Sequence, residues 1–109
     1  MTNSVAMNSQ VASSRADLEF AESALRDVLA GVQHESKADA TLLNHMLAHL
    51  VNMGEAISTS PERHDNVAKR LGDFAMTTSR MATRNPDSAP KLTRLTEHLR
   101  TASERLKSS

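Results

Sequence analysis

Residues 41–57, TLLNHMLAHLVNMGEAI, decide the fold class. Leu43, Met46, Leu50, Met53 and Ile57 step by three and four residues, the spacing of one buried stripe on a helix. Leu42, Leu47 and Val51 are expected to widen that stripe to about half the circumference at ~100° per residue. The remaining arc holds Thr41, Asn44, His45, Ala48, His49, Asn52, Glu55 and Ala56, with Glu55 its single full charge. A helix back that faces water usually carries Lys, Arg and Glu. The neutral back therefore points to a helix that is central in its own domain or covered by a second chain. Two His and two Asn make the stretch a poor membrane span.

Composition supports an all-α reading. A chain of 109 residues makes one domain with enough core to fold unaided. It holds no Cys, so disulfides, thiolate nucleophiles and Cys-ligated zinc are excluded. With no Trp or Tyr and two Phe, the core must be Leu, Ala, Val and Met, which suits helix bundles better than sheets. Three Gly and three Pro are too few for a turn-rich β fold.

Working outward, residues 1–12, MTNSVAMNSQVA, carry no charged side chain, and a flexible arm is expected there. Residues 13–109 read as a single helical domain with helices near 14–33, 38–58, 61–84 and 89–107. Val11, Leu18, Ala21, Leu25, Val28 and Val32 give the first helix its stripe, with Leu29 beside it. Gly31 and the polar run 34–39 suggest a break, although a continuous helix over 14–58 with a four-residue slip of its stripe is the alternative. Ser36 or Asp39 can cap the second helix. Ser60 with Pro61 signals the start of the third, and Asn85-Pro86-Asp87 its end. The third stripe is Val67, Leu71, Phe74, Thr78 and Met81, which places Phe74 in the core and Met76 outside. Ser88 or Pro90 opens the fourth helix, whose stripe is Leu92, Leu95, Leu99, Ala102 and Leu106. Short connections favour an antiparallel, up-down-up-down four-helix bundle, with two helical hairpins completed by a partner chain as the alternative.

Net charge is zero, but residues 1–58 set three Lys and Arg against seven Asp and Glu, a net −4, and residues 59–109 set ten against six, a net +4. The expectation is an acidic hairpin packed against a basic one. The alternative is a basic C-terminal half aimed at nucleic acid through Lys69, Arg70, Arg80 and Arg84. No aromatic side chains interleave with those cations, which speaks against base stacking.

Chemistry-bearing patterns are sparse. His45 and His49 stand four apart on one helix face, but a zinc site needs three or four ligands and no HExxH stands here. An exposed His within a four-helix bundle resembles histidine-phosphotransfer domains, whose motif has Lys three and Gly four residues after the His. Here Asn52 and Met53 take those places after His49. The stretch 29–37, LAGVQHESK, resembles the phosphoacceptor helix of histidine kinases, with His34 followed by Glu35 and Lys37, but lacks the downstream Pro. Both likenesses depart at positions that matter, so no family is assigned. No Gly-x-Ser-x-Gly elbow and no phosphate-binding loop are present. Glu19 and Glu22 stand near a helix start, where solvated acids are expected.

The reading that results is a non-enzymatic adaptor, chaperone, structural component or small inhibitor, needing no cofactor or metal, that docks another protein or a second copy of itself. Phe20 lies roughly 120° from the centre of its helix's apolar arc, with Ala24 on the same side. The expected partner-binding set is Phe20 and Ala24 on the first helix with His45, His49, Asn52 and Ala56 on the second. A histidine phosphotransfer or His-metal protein centred on His49 or His34 is the alternative from another class. The cytoplasm is the expected compartment, or the exterior by a route without a cleaved leader.

Overall fold

The computed structural model describes the backbone of residues 2–107 and the side chains of residues 13–107. Four helices, α1 (Thr2–Glu35), α2 (Lys37–Thr59), α3 (His64–Arg84) and α4 (Ala89–Lys107), account for nearly all of it, and no strand occurs among the described residues. Their packing is that of a helix bundle. The 51 Å long axis matches α1 alone, whose 34 residues rise ~1.5 Å each.

The first helix begins well before the expected residue 14. Between Thr2 and Ala30 there is neither Gly nor Pro, so nothing in the backbone chemistry halts it. The side chains of residues 1–12, where the flexible arm and Val11 of the first stripe are expected, lie outside the described residues. The break over 34–39 narrows to Ser36, which adopts an extended conformation (φ −153°, ψ 108°) and accepts a hydrogen bond from the Asp39 amide on its own Oγ. One N-cap residue thus makes two helices where a continuous one was the alternative.

The expected stripes form the core. Leu43, Met46, Leu50, Met53 and Ile57 of α2 are buried with Leu18, Leu25 and Val28 of α1, Leu71 and Met81 of α3, and Leu92, Leu95, Leu99 and Leu106 of α4. Three expectations need correction. Leu42 and Val51 do not widen the α2 stripe; they remain 40% and 43% exposed, while Leu47 is half-buried. Phe74 is half-buried at the edge of the core rather than inside it. Phe74 stays at the edge because α2 packs closely on α1 but barely touches α3, so the bundle is closed on three sides and open along the fourth.

The α3–α4 seam is the tightest. Ala68 and Ala75 keep α3 slim there, and small polar groups cross it. Ser103 Oγ donates to the Ala68 carbonyl at 2.6 Å, and the Thr78 and Thr96 hydroxyls meet at 2.7 Å. Each Thr oxygen also lies within hydrogen-bond reach of a carbonyl of its own helix, Ala75 and Leu92 respectively; with one proton apiece, one hydroxyl donates to the other and the second donates to its own carbonyl, so these buried groups are satisfied. Helix α1 closes against α4 and the preceding 3-10 turn, Pro86–Ser88. Ser88, expected as a cap, instead donates to Glu35 Oε1 at 2.7 Å, and the Asp87 amide donates to Glu35 Oε2 at 3.3 Å.

The charge halves meet as expected. Asp17 faces Arg105 at 3.1 Å, Asp27 faces Lys91 at 3.6 Å and Asp39 faces Arg84 at 3.0 Å, each an acid of the first half with a base of the second.

Candidate functional site

Along the open side, α2 presents His49, Asn52, Met53 and Ala56 to α3, and α3 with the 3-10 turn before it presents Arg63, Asn66, Val67, Lys69, Arg70 and Asp73. The two walls enclose a groove of about 560 Å³. Met53 and Val67 are buried and supply an apolar floor; the other lining groups form a mainly polar rim. Both walls follow helical spacing. Residues 49, 52 and 56 repeat by three and four, as do 63, 66, 70 and 73. Because these flanks carry amides and charges instead of apolar side chains, burial gives α2 and α3 little reason to close on each other.

One end of the groove is bounded by the His49 imidazole, tilted 50° to the Phe74 ring at a centroid distance of 6.1 Å. Towards the other end the chain turns at Ser60, and His64 Nε2 lies 2.9 Å from the Ile57 carbonyl. Beyond Phe74 the two helices are tied again by Arg84 and Asn85. Arg84 Nη2 and Asn85 Nδ2 both donate to Asp39, at 3.0 and 2.8 Å. These hydrogen bonds hold the Asp39 carboxyl below the usual carboxylate range, with the Arg84 bond the largest contribution and burial opposing it.

The expected binding residues divide between two faces. His49, Asn52 and Ala56 line the α2–α3 groove. His45 is exposed one turn earlier on α2 and lies outside the groove lining. Phe20 and Ala24 belong to a separate, smaller cleft between α1 and α4, of about 260 Å³, with Ser23, Asp27, Lys91, Arg94 and His98. Phe20 is 58% exposed and stacks on His98, with ring centroids 5.9 Å apart. The six residues therefore do not form one surface. Sequence reading missed the α3 wall, above all Arg63, Asn66 and Asp73. The polar repeat at three and four residues was a readable signal, but which helix it faces is a tertiary fact.

The other candidates separate as well. His34 is exposed in the last turn of α1, on a different element from His49. Among the described residues no three His, Asp or Glu side chains converge as metal ligands would. Of the proposed nucleic-acid cations, Arg84 is engaged by Asp39, Lys69 and Arg70 line the groove, and Arg80 lies outside it. No described helix is long and apolar enough to cross a membrane. No protein-family model matches the chain, and neither a characterised protein nor a solved structure matches it significantly.

Proposed function

We propose that this protein is a non-enzymatic helical docking module, an adaptor, chaperone, structural component or small inhibitor, whose partner seats in the groove between α2 and α3. The groove itself carries the reading. Two helices that a closed bundle would press together are left apart, and the neutral back of α2 forms one wall. Groups of this kind, an apolar floor under a polar rim, favour a protein partner over a small substrate.

The reading takes the bundle as antiparallel, up-down-up-down. Cross-helix partners support this: Asp17 with Arg105, Asp27 with Lys91 and Glu35 with Ser88 run in opposite directions along α1 and α4. Ala68 with Ser103 and Thr78 with Thr96 do so along α3 and α4, and Asp39 with Arg84 and His49 with Phe74 along α2 and α3. A Cys-free chain suits the reducing cytoplasm, the compartment this reading takes.

Site-specific photo-crosslinking in the source cells tests the proposal. A photoreactive residue at Asn52 is expected to trap a discrete protein adduct, and one at Thr101, exposed on α4, is not. Equal labelling from both positions, or none from Asn52, overturns the docking site. Sedimentation of the purified chain then tells whether the adduct is a second copy or another protein.

A further inference from the structure

We propose that the occupant of the α2–α3 groove is an acidic amphipathic helix of a partner protein, about two to three turns long; this rests on the docking reading above and gives its partner a chemistry. Length comes from the walls. Residues 49–56 span ~10 Å and residues 63–73 ~15 Å at 1.5 Å per residue. Helical form comes from the fold. The described residues offer no strand edge for an extended peptide to join, whereas two helices with an open seam accept a third in the helix-in-groove mode.

Charge follows from what docking would bury. Arg63, Lys69 and Arg70 line the groove against a single acid, Asp73. Among the described residues none of the three cations lies within ion-pair distance of a carboxylate. An apolar helix laid over them would strip their water and return nothing, which opposes docking. Carboxylates on the incoming helix remove that cost and form charge-assisted hydrogen bonds with the guanidinium groups. The opposite edge of the same helix needs apolar side chains to cover Met53, Ala56 and Val67. Asp73 then opposes an acid placed too near it and sets the register. A nucleic-acid strand fits these observations less well. The floor is apolar, the one ring in the lining is the His49 imidazole at its end, and the chain has no net charge to draw a polyanion from a distance.

Fluorescence anisotropy on the full chain tests this with a stapled Leu/Glu amphipathic helix, a peptide of the same composition scrambled so that no face is acidic or apolar, and a single-stranded oligonucleotide. The amphipathic helix is expected to bind at least about tenfold more tightly than either control. Arg63→Glu with Arg70→Glu should weaken it about tenfold, Asn52→Glu should weaken it by setting a carboxylate against the acidic helix, and Arg80→Glu, the same change on α3 outside the groove, should alter it less than about twofold. Thermal melts of each variant report whether the fold persists. The proposal is overturned if the scrambled peptide or the oligonucleotide binds as well, if Arg80→Glu matches the groove pair, or if no peptide binds. Should Asn52 still crosslink a partner after any of these results, docking stands and only the acidic-helix identity of that partner falls.

Discussion

Arg84 meets Asp39 side-on, with Nη2 3.0 Å from Oδ1 and Nε 3.4 Å from Oδ2. Asn85 adds a third donor, and the pairing ties the start of α2 to the end of α3 across the open side of the bundle. The Asp39 carboxyl is held below its ordinary 3.8. For a depressed acid, the stabilisation is fully present above the unfolded value and is lost as pH falls through the folded one. Asp39→Asn is therefore expected to cost about 1–3 kcal/mol at neutral pH. Urea unfolding should show the gap to the parent closing as pH falls below 3.8. A gap that persists at low pH would show that packing, not charge, holds this corner.

Asp17 behaves oppositely, although both carboxylates belong to residues only 8% exposed. Arg105 Nε is 3.1 Å from Asp17 Oδ2, yet the geometry is not that of a hydrogen bond, and among the described residues Oδ2 has no such partner. Burial raises the Asp17 carboxyl above 3.8 and outweighs the attraction of Arg105 and His98. For a raised acid the folded state holds the proton more tightly, so stability declines as pH rises from 3.8 through the folded value and stays reduced at neutral pH. Asp17→Asn is expected to leave the neutral-pH urea midpoint unchanged or to raise it. A drop as large as that of Asp39→Asn would refute this assignment.

Adjacent residues of α2 should differ sharply. Leu50 is fully buried and Val51 is 43% exposed. Leu50→Ala is expected to cost about 2–5 kcal/mol, and Val51→Ser less than about 1 kcal/mol. Chemical denaturation of both variants checks the narrowed stripe; a large loss at Val51 would mean that something covers it in solution.

Two glycines give a further contrast. A methyl at Gly54 would meet no atom within 4 Å, whereas one at Gly31 would lie 3.1 Å from Ser88 Oγ, the hydroxyl bonded to Glu35. Gly54→Ala should stabilise by up to about 1 kcal/mol through helix propensity. Gly31→Ala should gain less, or lose stability, because the 3-10 turn must shift. Equal rises in Tm would show that the turn moves freely.

The Thr78–Thr96 contact is testable by a double-mutant cycle. Each single Val substitution removes one hydroxyl from a buried 2.7 Å contact and should cost about 1 kcal/mol or more. The double substitution should cost less than the sum, by about 0.5 kcal/mol or more. Strict additivity would mean that the two hydroxyls act separately, each through its own helix carbonyl.

Sequence by itself determined the helices and most of the core. Leu43, Met46, Leu50, Met53 and Ile57 are buried because side chains three and four residues apart must share a face, whatever packs against it. Helix ends at Ser36, Ser60 and Asn85 were likewise local, set by a capping hydroxyl and by prolines. Tertiary structure alone decided which seam stayed open. Phe74 has the spacing of a core residue, but its neighbours across the seam are the polar groups of α2, so it stays at the edge. Phe20 and Asn52 look alike in sequence as misplaced side chains, yet they lie on separate clefts. Periodicity fixes angles around one helix axis. The choice of facing helix depends on long-range contacts that no local pattern encodes, and the groove exists only because of that choice.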